Sequence, residues 1–420
     1  MVKLERQEVF RDPLYGYIHV DYEFIIDLID TSVFQRLRRV RQLSGVHMVF
    51  HSAEHSRFSH ALGVYELANR FLDIKEIKEN LNERESLLFL VAALLHDIGH
   101  GAYSHAFEYV FKVNHEVIGA TIIKTHPEIR NILDKIDASF ADDVASIILK
   151  DKKFPLIEQL ISSQLDVDRL DYLERDAYFT GAAYGHIDLD RLMRVVKIQN
   201  KKLAFKASGI HAIENYLVAR YHMYWQVYYH PKARAYEVIL EKIYFRVRDL
   251  LETNFNFEHD VTSLKTILKD PTNMYAYLKI DDYYMNGLIA YFLNSKDPIL
   301  KELSSDFLNR NIWSYIDDTK ENQQQINDIL NSRSSDDIKY FTLKTSVEQS
   351  AYRETEANLG DQIYIYNEKG NIVTLSEHSS IVHALVTSSV KSDPKFFYKK
   401  RWNKKYMLLK AHTMKRYLNK

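Results

Sequence analysis

Residues 84–105 read RESLLFLVAALLHDIGHGAYSH, and the fold class turns on that stretch. Apolar side chains run from Leu87 to Leu95, far too few to span a bilayer. They predict a buried central helix over 84–96, stopped by Gly99 and Gly101. A His-Asp pair placed directly behind a buried helix is costly unless something compensates its polarity. A divalent cation does so, because imidazole donates a lone pair and carboxylate supplies charge. A single such pair is more often a buried histidine hydrogen-bonded to a carboxylate, so the rest of the chain has to decide.

Working outward, 8–22 (EVFRDPLYGYIHVDY) reads as a hairpin or extended entry, with turn signals at Asp12-Pro13 and Gly16. Helical patterns follow at 24–30, 32–42 (strongly basic, FQRLRRVRQ), 60–72, 115–126, 141–150, 155–178, 188–196 and 209–253. After about 255 the texture becomes polar and rich in Asn and Asp. Shorter helices are expected there at 262–269, 282–294, 297–310 and 320–333. Strand-like runs follow at 339–345, 362–366 and 372–375, the last two joined at a Gly370-Asn371 turn. The expectation is a mainly all-α protein, with a helical core over 1–255 and a smaller α+β C-terminal lobe over 256–420.

Composition agrees. Only 12 Gly and 7 Pro interrupt 420 residues, which favours long helices. There is no cysteine, so any metal must sit on nitrogen and oxygen ligands. A cytoplasmic setting fits this, and the N-terminal residues have no apolar signal-peptide core. The net charge of −1 conceals an asymmetry. From Lys391 to Lys420 eleven Lys or Arg face one acid, Asp393, leaving the remainder near −11. Such a tail can bind nucleic acid. Its core-type residues Phe396, Phe397, Trp402 and Leu408 favour the plainer reading, a helix paired with an acidic surface of its own chain or of a neighbouring subunit.

Two more segments belong with His96-Asp97. His60 follows Arg57-Phe58-Ser59 at the head of an apolar-periodic helix. Asp168 opens a helix whose stripe Asp168, Tyr172, Asp176 is polar, while Val167, Leu170 and Leu173 supply an apolar face. A solvated face would carry Lys and Glu, not a Tyr between two Asp, so this helix is read as lining a cleft.

The order His60, His96-Asp97, Asp168 resembles the H…HD…D metal signature of the HD superfamily. The fuller strings are FQRLRRVRQLSG (34–45), HSRFSHALGVYELA (55–68), LLHDIGHGAYSHAFE (94–108), NHE (114–116) and DVDRLDYLERD (166–176). They resemble HD-domain deoxynucleoside triphosphate triphosphohydrolases, including the vertebrate sterile-alpha-motif/HD dNTPase and its bacterial tetrameric relatives, over about residues 8–250. The resemblance implies cleavage of a dNTP to deoxynucleoside and inorganic triphosphate. It implies His60, His96, Asp97 and Asp168 as metal ligands; such a His2Asp2 set suits Mn, Fe, Ni, Co or Zn, and leaves room for Mg on the phosphates. It implies His105, backed by Glu108, and His115 as catalytic groups, and His100, Arg57, Arg169, Tyr172 and Arg220 on the triphosphate. Gln42 and Leu43 would face the sugar, Asp176 and Tyr229 the 3′-hydroxyl. Tyr228 would stack under the ribose and, with Leu43, exclude a 2′-hydroxyl.

The chemistry is coherent without the name. Three guanidinium groups and a metal suit a triphosphate. A metal lowers the pKa of bound water, and a histidine poised near neutrality can protonate the departing 5′-oxygen. Glu108 lies three residues after His105, on the same helix face. The family also implies homotetramers activated by a guanine nucleotide (dGTP or GTP), read by Asp30, Gln35 and Arg38, with Arg191 in an adjoining pocket. Glu8 departs from the pattern, standing where the vertebrate enzyme has a Lys on the activator phosphates, and a carboxylate there repels phosphate. Two other readings compete: an HD phosphodiesterase or nucleotidase, and a nucleic-acid-binding or nucleotide-sensing protein with an inactive site.

Overall fold

The computed structural model describes residues 3–349, 352, 362–387 and 391–400. Among these residues the body is helical, with three small sheets, as the scarcity of breakers implies. Its centre is the helix Glu83–Leu95. Asn82 accepts the Glu85 N–H at 2.9 Å, while the Glu85 carboxylate accepts the Asn82 N–H at 3.0 Å, a reciprocal cap. Leu87 through Leu95 are each at most 3% exposed, so the helix is enclosed on all sides. It packs against Arg57–Leu72, Phe140–Leu149 and Pro155–Ile161. His96 and Asp97 emerge from its C-terminal end into the middle of the molecule.

Gly99 and Gly101 act differently from the helix-stopping role expected of them, since neither has a positive φ. A Cβ on Gly99 would lie 2.0 Å from the His115 carbonyl oxygen and 2.4 Å from the Gly119 nitrogen. One on Gly101 would meet the Tyr277 hydroxyl at 2.7 Å. Both glycines allow close approach of neighbouring segments. The left-handed positions fall instead on Tyr103 (φ 54°) and Ser104 (φ 48°), strained for residues that carry a Cβ.

Several expected elements are divided. The basic segment is α-helical only over Ser32–Gln35 and then tightens to a 3₁₀ turn, Arg36–Arg39. Arg36 points inward, donating to the carbonyls of His100 (2.8 Å) and Ile280 (3.1 Å). The 155–178 helix is two, Pro155–Ile161 and Val167–Thr180, because Asp166 caps the second by accepting the Arg169 N–H at 2.7 Å. The 209–253 helix is Ile210–Met223, a π turn Tyr224–Tyr228, and Pro231–Glu252, with Pro231 at a first helical position. Part of the 339–345 strand is helix: Ser335–Phe341 precedes the strand Thr342–Gln349.

The entry hairpin is Lys3–Asp12 with Gly16–Tyr22. A second hairpin, Val196–Gln199 with Lys202–Lys206, pairs onward in parallel with Tyr364–Tyr366, which pairs with Ile372–Thr374. In the third sheet Lys391–Tyr398 lies between Ser314–Asp317 and Thr342–Gln349. The first part of the basic segment is therefore a central strand and not the expected helix, since pairing on both edges buries Phe396 and Phe397. Lys395 pairs with Asp317 (2.8 Å), and Lys399 with Glu302 (2.6 Å) and Asp306 (2.7 Å). Acids of the same chain thus face this stretch, while Trp402 and Leu408 lie outside the described residues. Among the described residues no helix is long and apolar enough to cross a membrane.

Candidate active site

Three elements bring four expected ligands together. His60 comes from the Arg57–Leu72 helix, His96-Asp97 from the end of the central helix, and Asp168 from Val167–Thr180. His60 Nε2 lies 3.1 Å from the Asp168 carboxylate, 3.3 Å from His96 Nε2 and 3.7 Å from Asp97. His96 Nε2 lies 3.4 Å from Asp97 and 3.7 Å from Asp168. Each ring commits its other nitrogen elsewhere: His96 Nδ1 to the Ala93 carbonyl at 2.8 Å, His60 Nδ1 to Asp171 at 2.7 Å. Two imidazole lone pairs therefore face each other among carboxylates, an arrangement that a shared cation satisfies.

The electrostatics agree. Burial disfavours charge on His60, but hydrogen bonds to Asp168 and Asp171 outweigh it and push its pKa up to about 10. The field at that point demands a positive charge, which a proton or a metal cation supplies. Burial would raise the Asp97 and Asp168 carboxyls. Arg57 and His96 hold Asp97 well below the usual range, and His60 and His96 do the same for Asp168.

Sequence reasoning missed the groups behind this cluster. Asp171 is fully buried and accepts from Tyr15 Oη (2.8 Å) and from Arg175 Nε and Nη2 (2.9 Å each), besides His60. Arg175 also donates to Asp12 at 2.9 Å. Burial opposes ionisation of Asp171, yet Arg175 and His60 bring its pKa down to about 2. Gly63 makes room, since a Cβ there would sit 1.9 Å from the Asp171 carboxylate. Asp171 lies four residues after Val167, inside the apolar stripe, and its i+4 partner Arg175 was the readable signal.

A second cluster adjoins the first. His100 Nε2 is 3.3 Å from Asp97. Its ring stacks on His115 with centroids 3.8 Å apart. Glu108 lies 3.1 Å from His115 Nδ1, 3.3 Å from His100 Nδ1 and 3.6 Å from His105 Nδ1. Burial and the neighbouring Arg57 push His100 down to about 4, so it is neutral at neutral pH. Burial would raise Glu108, but contacts with the three histidines hold it ionised. His105 is 80% exposed on its side chain, while His100 is buried.

Beside both clusters opens a cavity of about 810 Å³. Arg57, Arg169, Arg220 and Tyr172 line it, together with His105, Gln42, Leu43, Asp176, Tyr228 and Tyr229. His100, Glu108 and His115 stand behind this wall. Arg57 joins cavity to cluster, donating to Asp97 from Nη1 and to Ser104 Oγ from Nη2 at 2.8 Å. Arg220 rests on Gln164 (2.8 Å) and Arg169 near Tyr172 Oη (3.4 Å). Asp176 is held by Tyr228 Oη (2.7 Å) and His55 Nε2 (2.8 Å), the latter another group not foreseen. The π turn aims Tyr224 and Tyr228 inward, and Tyr229 stacks on Tyr224.

The expected effector positions lie apart from this cavity. Gln35 accepts from Arg38 Nε at 2.7 Å, Arg38 covers the Phe58 ring at 3.5 Å, and Asp30 and Glu8 are exposed. Arg191 donates to the Ser208 carbonyl at 2.6 Å.

Residues 57–176, which contain all four clustered ligands, match the model of the HD domain, and 187–393 match the HD associated region. The chain belongs to the HD phosphohydrolase family. HD domains bind divalent metals, and His60, His96 and Asp97 are placed to hold one, with Asp168 3.1 Å from His60. This HD protein is 38% identical over 405 residues to the uncharacterized protein YwfO of Bacillus subtilis, covering 95% of this chain and 93% of that one. It is 27% identical over 330 residues to the deoxynucleoside triphosphate triphosphohydrolase SAMHD1 homolog of Dictyostelium discoideum, covering 74% of this chain and 60% of the relative. A crystal structure of a phosphohydrolase from Bacteroides thetaiotaomicron superposes with a TM-score of 0.80 at 27% identity, over 94% of this chain and all of the other.

Proposed function

We propose that this HD protein hydrolyses deoxynucleoside triphosphates to deoxynucleoside and inorganic triphosphate. The observation carrying this reading is the cavity wall itself: Arg57, Arg169 and Arg220 with Tyr172 on one pocket, beside a His2Asp2 cluster. Three guanidinium groups exceed what a monophosphate or cyclic phosphate needs, and they suit a polyanion bound along its length. When bound, the metal supplies Lewis-acid polarisation and an activated water.

The chain's own residues do the rest. Arg57, Arg169 and Arg220 neutralise the triphosphate and hold its α-phosphorus against the cluster. Water adds to that phosphorus as the bond to the 5′-oxygen breaks, and the 5′-oxygen takes a proton from His105. Glu108 keeps His105 and His115 oriented. The Tyr228–Asp176 pair offers a carboxylate to a 3′-hydroxyl, while the Tyr228 ring and Leu43 close the space beside a ribose 2′-carbon. We take 1–255 as the catalytic unit and 256–420 as a lobe that completes it, because Leu343, Lys344 and Thr345 also line the cavity. Activation by a guanine nucleotide at Asp30, Gln35, Arg38 and Arg191 of a homotetramer is the regulatory extension of this reading. The exposed carboxylate of Glu8 argues for a different or weaker effector.

The test is a dNTP panel with Mn²⁺ or Mg²⁺, with and without dGTP or GTP. Inorganic triphosphate should appear, and His96→Ala and Asp97→Ala should lose the metal of this cluster and turnover while keeping the helical circular dichroism. Pyrophosphate or phosphate as product, or retained turnover in either variant, overturns the proposal. A gel shift with single-stranded nucleic acid across a salt series separates it from the binding-protein alternative.

A further inference from the structure

We propose that His100, Glu108 and His115 form a second divalent-cation site, selective for a zinc-class ion, whose occupation silences the proton-handling groups. One donor atom from each of the three residues lies within 4.8 Å of the others, the spread of ligands around a single ion. The two rings stack nearly parallel, at 17°, with both Nδ1 atoms turned to the Glu108 carboxylate at 3.1 and 3.3 Å.

Hydrogen bonding accounts for only part of this arrangement: His115 Nδ1 bonds Glu108 Oε2 at 3.1 Å, and His100 is left out. His100 Nδ1 and Glu108 Oε1 are both buried without a hydrogen-bond partner, although they are only 3.3 Å apart. Their approach has the distance of a hydrogen bond without its direction. A buried donor–acceptor couple left in that state is costly, and the usual resolution is a third party bonded to both. An ion seated among the three side chains would meet the Nδ1 lone pair and the carboxylate oxygen together. Two imidazoles and one carboxylate suit zinc-class ions better than magnesium, which prefers an all-oxygen shell. The partial exposure of Glu108 and His115, 13% and 23% on their side chains, leaves a fourth position to water.

The consequence for function follows from atom sharing. Glu108 and the His115 Nδ1 serve the proton relay proposed above, and an ion on those same atoms leaves them unable to orient or accept. The second ion therefore inhibits. This consequence rests on the triphosphohydrolase reading; the binding itself does not.

The test counts metal. Chelator-stripped full-length protein is equilibrated with Zn²⁺ in a chelator buffer that keeps surface histidines empty, and bound zinc is measured per chain. Wild type should hold two ions, His115→Ala one, His96→Ala one, and the double variant none. If His115→Ala fails to fold, Glu108→Gln replaces it, with the same expected loss of one ion. Substituting Co²⁺ should show two components in the visible spectrum, one of which His115→Ala removes. A single zinc per wild-type chain, or two zinc in both His115→Ala and Glu108→Gln, overturns the site. If the dNTP panel yields no product but zinc still counts two, the site stands and only its inhibitory role falls.

Discussion

Replacing Asp171 by Asn tests whether a residue that touches no substrate governs the metal centre. Asp171 is fully buried and accepts four hydrogen bonds: from His60 at 2.7 Å, Tyr15 at 2.8 Å, and Arg175 twice at 2.9 Å. Asparagine keeps the volume, removes the charge and turns an amide donor toward one of those donors. Arg175, itself fully buried, is left with Asp12 as its carboxylate partner. Breaking a buried ion pair from one side costs about 3–5 kcal/mol, and the retained amide oxygen places this case near the lower end, ~3 kcal/mol. A carboxylate behind a ligating imidazole typically changes metal affinity about 10–100-fold. That factor corresponds to a further ~1.4–2.7 kcal/mol, visible only when metal is present. Urea unfolding of wild type and Asp171→Asn, each with Mn²⁺ and with chelator, separates the two effects. The variant should lose ~3 kcal/mol in chelator and ~4–6 kcal/mol at saturating metal on the same scale. Equal losses in both conditions would show that Asp171 stabilises the fold without tuning His60, and the second-layer argument would fail.

Three other outcomes are expected. Tyr228→Ala should lower the ratio of dNTP to NTP turnover by opening the space beside the ribose, and an unchanged ratio counts against Tyr228 as the sugar gate. Gly99→Ala should destabilise by about 3 kcal/mol or more, because the new Cβ meets the His115 carbonyl at 2.0 Å; an unmoved urea midpoint would mean that this backbone can yield. Asp282 accepts the backbone N–H groups of Arg41 and Tyr103, and burial pushes its carboxyl up to about 6. The folded state thus binds that proton more tightly than the unfolded chain, whose carboxyl titrates near 3.9, so the group favours folding at low pH. That advantage drains between about pH 4 and pH 6, a change on the order of 3 kcal/mol at ~1.4 kcal/mol per tenfold in proton affinity. Asp282→Asn has no such proton, so its stability relative to wild type should rise across that window and level off above it. A difference that is constant with pH removes the buried-carboxyl account.

The residues of the candidate site were readable because chemistry restricts residue type whatever surrounds it. His96-Asp97 behind nine apolar residues, and Asp168, Tyr172 and Asp176 on one helix stripe, are improbable unless they serve a cleft, and the structure gathers them beside one cavity. Packing was less readable. Gly99 and Gly101 looked like helix stops, yet their need for a missing Cβ comes from His115 and Tyr277, partners that no local pattern names. The 209–253 helix carried its own interruption in Pro231, whereas the 155–178 break rests on one Asp166 side chain reaching back over a helix start. The strand at 391–398 was hidden because lysines in and after it dominate the composition, while Phe396 and Phe397, pointing to opposite faces, are both buried.

Asp171 shows why support is harder to read than ligation. A ligand announces itself by being a His or an Asp where burial forbids one without cause. Asp171 carries the same anomaly, but its cause lies 111 residues away in His60, and beyond that in Tyr15 and Asp12 of the entry hairpin. Once the Val167–Thr180 helix packs on Arg57–Leu72, with Gly63 letting the two close, a carboxylate at that point is the group that can bind Arg175 and fix the His60 ring at once. The hairpin therefore reaches the candidate metal cluster through Arg175 and Asp171. Its Tyr15 and Asp12 should be as sensitive to substitution as residues that line the cavity, although neither comes near a substrate.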